Sequence, residues 1–157
     1  MKLKRILLAE DNPKDIELAL EALGEHNLAN DVVVVRNGAE ALDYLYRRGE
    51  FSTRPEGNPA VVLLDLKMPK VDGMEVLRQI KTDAELKVVP IVMLTSSREE
   101  QDLVKSYQLG ANAYVVKPID FEQVVDAIKQ LGLFWAVLNE PPLRIVRKAD
   151  SQAANIS

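Results

Sequence analysis

Four groups of side chains stand out by type and by where they fall. Glu10-Asp11 follows the apolar run Ile6–Ala9, Asp65 follows Ala60–Leu64, Thr95 follows Ile91–Leu94, and Lys117-Pro118 follows Ala113–Val116. Three carboxylates brought within a few ångströms repel one another and raise each other's pKa unless a cation compensates. The donors are hard oxygens and the chain has no cysteine and one histidine, so the expected cation is Mg²⁺, which takes one or two carboxylates, keeps several waters and bridges to a phosphoryl oxygen. A carboxylate beside such an ion can act as a nucleophile toward phosphorus, giving an acyl phosphate. The lysine would then pair with the phosphoryl charge, and the threonine hydroxyl would donate to one of its oxygens. Taken singly, each group has a plainer reading: Glu10-Asp11 serves equally well as a helix cap, Asp65 as a loop acid, Thr95 as a solvated hydroxyl and Lys117 as a surface charge. Independent caps, however, would not set acid, acid, hydroxyl and amine at the ends of four of the chain's five short apolar runs.

Elements must exist to bring these groups together. With Val32–Val35 there are five short Val-, Ile- and Leu-rich runs, none alternating cleanly with polar residues. This is the pattern of strands buried on both faces of a parallel sheet. Between them lie helical spacings: Ile16, Leu20 and Leu23 form one stripe, and Phe121, Val124, Val125, Ile128 and Leu131 a wider one. Asn12 is expected to cap a helix with Pro13 at its first position, and Asp120 to cap the helix beginning at Phe121. Gly24 and Gly110 stand near the expected helix ends. Repeated strand–helix units with right-handed crossovers give an α/β three-layer sandwich, with helices on both faces of the sheet. The reactive groups then sit at the carboxyl edge, where such sheets bind ligands. Two segments depart from this plan. Gly49 to Pro59 is turn-rich and longer than usual before a strand, and is expected to be an exposed loop. Asn139-Glu140-Pro141-Pro142 ends any helix, and the tail to Ser157 shows no periodicity.

The whole-chain figures bound the function. A length of 157 residues, 47% hydrophobic and 28% charged, with a formal charge of −4, describes one compact domain and excludes both a disordered chain and a nucleic-acid coat protein. The absence of cysteine excludes disulfide-stapled secreted folds and thiolate metal sites, and fits a reducing cytoplasm. No apolar run approaches the ~18 residues of a membrane span, and the apolar stretch after Arg5 is too short for a signal-peptide core. His26 reads as a solvated polar residue, and Met68 and Met74 as packing.

The stretches Ile6-Leu7-Leu8-Ala9-Glu10-Asp11-Asn12, Leu63-Leu64-Asp65-Leu66-Lys67-Met68-Pro69-Lys70-Val71-Asp72-Gly73, Val92-Met93-Leu94-Thr95-Ser96 and Gly110-Ala111-Asn112-Ala113-Tyr114-Val115-Val116-Lys117-Pro118 resemble the receiver domain of two-component response regulators. The resemblance covers residues 3–138 and leaves 139–157 as a C-terminal extension, partly disordered or a dimer arm. It implies a flavodoxin-like five-stranded parallel sheet of order 2-1-3-4-5. It further implies that Asp65 is the phosphoacceptor, that Glu10, Asp11, Asp65 and the backbone carbonyl of Lys67 hold Mg²⁺, and that Thr95 and Lys117 contact the phosphoryl group. A sensor histidine kinase would be the donor. Thr95 moving toward the phosphoryl would vacate space for Tyr114, and Lys117-Pro118 would be a cis peptide.

Within that family, Glu10 to Asp15, the long loop before the third strand, Ser106-Tyr107, Phe134-Trp135 and Pro141-Pro142 resemble the stand-alone regulators that partner phytochrome-type kinases. Leu133, Phe134, Trp135, Val137 and Leu138 extend the fifth helix with an apolar end, and such a patch implies an interface. The expectation is an isologous homodimer through the fifth helix and the arm, with Phe134, Trp135 and Leu138 at the contact. A Mg²⁺-dependent aspartyl-phosphate phosphatase is the rival enzyme reading. It needs a second acid two residues after the nucleophile, where this chain has Lys67. A flavin or nucleotide module lacks its glycine-rich phosphate loop here. The tail is too short for a helix-turn-helix module, so no nucleic-acid output is expected, and signalling would work through altered protein contacts.

Overall fold

A computed structural model describes residues 5–24, 31–96, 99, 105, 107–131 and 144–147. The five apolar runs are strands: β1 (Arg5–Ala9), β2 (Asp31–Val35), β3 (Val61–Asp65), β4 (Ile91–Thr95) and β5 (Ala113–Val116). All pair in parallel, and their spatial order gives the flavodoxin-like arrangement 2-1-3-4-5. Alternate residues of each strand enter separate cores. Ile6, Leu8, Val34, Leu63 and Leu94 pack with α1 (Pro13–Gly24) and α4 (Phe121–Gln130) on one face. Leu7, Ala9, Val33, Leu64 and Met93 pack with α2 (Gly38–Tyr46) and α3 (Gly73–Thr82) on the other. Both faces are apolar because both are covered, which is why no alternation marks these strands in the sequence. The label α4 belongs to the fifth helix of the sequence plan, since the fourth falls largely outside the described residues.

Local signals hold the helices in place. Asn12 Oδ1 accepts the N–H groups of Lys14 and Asp15 at 2.9 and 3.1 Å, and Asp120 Oδ1 accepts that of Gln123 at 2.9 Å. Asn37 and Asp72 cap α2 and α3 in the same way, by accepting from Glu40 and Glu75. Gly110 takes φ +95° and its N–H donates to the Tyr107 carbonyl, so it closes the preceding helical turn.

One sequence expectation is corrected and another refined. The tail contains a strand, β6 (Arg144–Arg147), which pairs in parallel with β2 from Asp31↔Arg144 to Val34↔Arg147 and makes the sheet six-stranded. Its pairing comes from an exposed strand edge remote in sequence, which periodicity cannot report. The Gly49–Pro59 segment is largely exposed, as expected, but is not without structure. It begins with a 3-10 turn at Gly49–Phe51, and Phe51 and Pro59 are buried. Two arginines clasp it. Arg54 lies over the Tyr44 ring at 4.2 Å and donates to the carbonyls of Tyr44, Pro55 and Gly57. The buried Arg5 donates to the Tyr44 hydroxyl and to the carbonyls of Glu56 and Gly57.

Candidate functional site

The topology reverses at β1 and β3, which lie side by side with their carboxyl ends together. Glu10 and Asp11 leave β1 there, Asp65 ends β3, Thr95 ends β4 and Lys117 follows β5. Glu10, Asp65 and Thr95 are buried. Glu10, Asp11 and Asp65 each present an oxygen within 4.8 Å of the others. Three hard anionic donors at that separation fit a divalent cation of the Mg²⁺ or Mn²⁺ kind.

Lys117 joins the acids. Its Nζ lies 2.6 Å from Glu10 Oε1, 3.0 Å from Asp15 Oδ2 and 3.2 Å from Asp65 Oδ1. The ammonium therefore stands within ion-pair distance of three carboxylates. The backbone fixes the lysine from two sides. Its N–H donates to the Thr95 carbonyl at 2.8 Å, and the Gln123 side chain, from the first turn of α4, accepts from Val116 N–H and donates to the Pro118 carbonyl. The Lys117-Pro118 peptide is cis.

Charge balance differs between partners. Burial raises the Asp65 carboxyl, the neighbouring Glu10 raises it further, and Lys117 offsets only part, leaving it near 7. Burial alone would lower the Lys117 ammonium, but Glu10, Asp65 and Asp15 together outweigh this and raise it. The asymmetry is physical: the lysine draws on three anions, whereas Asp65 shares one cation with two competitors.

The β3–α3 loop is held tightly over Asp65. Gly73 N–H donates to the Leu66 carbonyl at 2.9 Å, and a Cβ on Gly73 would stand 2.1 Å from the Asp65 carbonyl oxygen. Only glycine admits this approach. Asp11, Lys67, Met68, Asp72 and Met74 line the adjoining cleft of about 420 Å³. Met68 is buried in the core and Met74 packs against it, in keeping with their packing role. Tyr114 points outward, 37% exposed, with its ring edge-on to Tyr107 at 5.3 Å between centroids.

The sequence reading missed three positioning groups. Asp15 reads as an acid in the first turn of α1, yet its carboxylate meets a lysine far along the chain. Arg36 donates to the Asp11 carbonyl at 3.1 Å. Gln123 reads as a surface residue of an amphipathic helix but braces the peptide beside Lys117. An acid three residues after the cap was the only signal available for any of them. The interface residues Phe134, Trp135 and Leu138, and His26, lie outside the described residues.

Known proteins agree with this geometry. A family model described as the response regulator receiver domain matches residues 6–129. Response regulator Rcp1 of Synechocystis sp. is 36% identical over 132 residues, spanning 84% of this chain and 88% of its own. Among solved structures, the bacteriophytochrome response regulator RtBRR is 63% identical with a TM-score of 0.82, covering 90% of this chain and 85% of that one. The phosphorylated cyanobacterial phytochrome response regulator RcpA is 41% identical with a TM-score of 0.73, covering 86% and 95%. The Mn²⁺-bound form of Rcp1 is 35% identical with a TM-score of 0.72, covering 90% and 99%. By its fold, the residues at its sheet edge and these matches, the chain belongs to the response regulator receiver domain family of two-component systems.

Proposed function

We propose that this chain is a phosphoacceptor regulator that receives a phosphoryl group on Asp65 from the phosphohistidine of a phytochrome-type sensor histidine kinase. The observation that carries the reading is the single ammonium, Lys117 Nζ, 3.2 Å from Asp65 Oδ1 within a trio of carboxylates that fits a divalent cation. An Asp65 oxygen attacks phosphorus in line with the bond to the imidazole. The P–N bond breaks, its electron pair passes to the ring nitrogen, and an aspartyl phosphate remains. Lys117 pairs with a phosphoryl oxygen and the Thr95 hydroxyl donates to another. Mg²⁺, held by Glu10, Asp11, Asp65 and the Lys67 carbonyl, supplies charge neutralisation for the transferred group when bound.

Output follows from the same elements. As Thr95 turns toward the phosphoryl, the outward Tyr114 ring moves into the space it leaves and repacks the surface around β5 and α4. The chain does not turn over a substrate as a phosphatase does, because the position two residues after Asp65 is Lys67 rather than an acid. A cysteine-free composition fits action in the cytoplasm. Residues 3–138 are the receiver and 139–157 a C-terminal extension whose Arg144–Arg147 pairs with β2, and Phe134, Trp135 and Leu138 meet a second copy in a homodimer. The names of RtBRR and RcpA, which assign those proteins to phytochromes, support the kinase class.

Incubation with a small phosphodonor such as acetyl phosphate, with and without Mg²⁺, followed by intact-mass measurement tests the acceptor. One phosphoryl mass gain is expected, dependent on Mg²⁺ and absent in Asp65→Asn; a gain that persists in the variant removes Asp65 from its role. Sedimentation of the full chain beside one ending at residue 132 tests the dimer, and identical monomeric masses would exclude it.

A further inference from the structure

We propose that Asp15 is a positioning residue for Lys117: its carboxylate, anchored on α1 and outside the metal-binding trio, holds the lysine ammonium over Asp65 for phosphoryl transfer. The inference rests on the phosphoacceptor reading and adds to it a residue that the chemistry of that site does not itself require.

The argument starts from the donors of one ammonium. Lys117 Nζ meets Glu10, Asp15 and Asp65 at 2.6, 3.0 and 3.2 Å. Two of these acceptors, Glu10 and Asp65, belong to the trio suited to a divalent cation, and Asp15 does not. A cation on the trio draws the charge of Glu10 and Asp65 to itself and repels the nearby ammonium. Transfer to Asp65 then places a phosphoryl group where that carboxylate met the lysine. Asp15 is the one carboxylate contact of Lys117 that neither event removes.

Its placement suits a fixed anchor. Asp15 lies in the first turn of α1, where Asn12 Oδ1 caps its own backbone N–H at 3.1 Å. The helix N-terminus favours a negative charge there. Ile16, the next residue, is buried in the core beneath α1, so the turn carrying Asp15 is fixed to the sheet. The Asp15 side chain is 19% exposed and that of Lys117 12%, which leaves the pair only weakly screened by solvent. Asp15 thus gives the ammonium a contact on α1 beside those at the ends of β1 and β3. Without it, Nζ is left with Glu10 and Asp65 alone, the two acids whose charge a cation on the trio also draws on.

Phosphorylation by acetyl phosphate in saturating Mg²⁺ tests this, with the full chain and the variants Asp15→Ala, Asp15→Asn and Asp15→Glu, each with and without Lys117→Arg. Asp15→Ala and Asp15→Asn are expected to lower the maximal rate roughly fivefold to tenfold, as a small misplacement of a reacting group does. The half-saturating phosphodonor concentration and the Mg²⁺ affinity should stay within about twofold of the parent, since Asp15 lies outside both sets of contacts. Asp15→Glu should restore part of the rate. In the Lys117→Arg background the Asp15 substitutions should have a clearly different effect, because residues acting through one contact are not additive. An unchanged rate in Asp15→Ala, an equal loss in both backgrounds, or a fall in Mg²⁺ affinity that accounts for the slower rate overturns the proposal. Failure of the parent chain to take up phosphoryl overturns the phosphoacceptor reading instead.

Discussion

In the absence of divalent cations, replacing Asp65 by asparagine is expected to stabilise the fold. Burial and the adjacent Glu10 raise the Asp65 carboxyl from 3.8 to about 7. In the unfolded chain it ionises near its ordinary value. Between those two pH values the folded state therefore holds a proton that the unfolded state has released, and stability falls as pH rises across that window. Above about pH 7 the full penalty applies. At ~1.4 kcal/mol per pH unit the ceiling is about 4 kcal/mol. Relaxation of Lys117 toward the ionised carboxylate and screening by water offset part of the penalty, so about half, roughly 2 kcal/mol, is expected to appear as measured stability. For a chain of this length that is a rise of roughly 4–8 °C in Tm.

Asparagine keeps the shape and removes the charge, so it isolates this term. Urea unfolding in EDTA at a series of pH values from 4.5 to 8 reads it out. The variant's advantage should be near zero at the acid end, grow through the window and level off above about pH 7. Saturating Mg²⁺ should erase most of it, because the cation gives the ionised wild-type carboxylate a partner. A variant no more stable than wild type at pH 8 would refute the reasoning. So would an advantage that does not vary with pH, which would place the gain in packing instead of charge.

Mg²⁺ at one hundred times its dissociation constant should stabilise the wild type by about 2.7 kcal/mol, and Asp11→Asn should reduce that gain sharply in the same thermal melts. Gly73→Ala forces a Cβ toward the Asp65 carbonyl oxygen, 2.1 Å away. It should cost about 1–3 kcal/mol and, by displacing the loop that carries Lys67, weaken Mg²⁺ binding measured by calorimetry. Arg54→Met strips the hydrogen bonds that Arg54 makes to the carbonyls of the Gly49–Pro59 segment and should cost about 1–3 kcal/mol. Limited proteolysis should then cut that segment faster, while phosphoryl uptake stays at the wild-type rate, because the segment enters β3 at the end opposite Asp65.

What the sequence shows, it shows through local rules. Five strands are legible because a strand covered on both faces must be apolar throughout, and Asn12 and Asp120 because a cap is read within four residues of itself. The site follows from those elements, since the carboxyl end of each run is also the edge where a parallel sheet gathers side chains. Features that depend on distant parts of the chain are hidden. Arg144–Arg147 is four residues with a charge at each end, and it becomes a strand because β2 offers it an edge. Arg5 and Arg54 look like surface cations until the fold brings both onto the carbonyls of one segment. Asp15 is the sharpest case: helix rules explain why an acid stands there, and only the packing of α1 beside β5's end explains what it touches.

The hidden contacts share a physical cause that bears on function. Three carboxyl groups, Glu10, Asp15 and Asp65, meet one ammonium, and Asp11 stands beside Glu10 and Asp65. Left alone such a cluster would spread apart, and the strain is borne by rigid elements. Glu10 and Asp65 sit at the ends of two paired central strands, and Asp15 sits on a capped helix turn. Because the backbone yields little, a change of charge at Asp65 is met first by the ammonium paired with it, Lys117 Nζ. That lysine's own N–H is bonded to the Thr95 carbonyl, and it lies three residues from Tyr114. Under the proposed function, a new anion at Asp65 would therefore act on the ends of β4 and β5 through Lys117, which directly follows the strand carrying Tyr114.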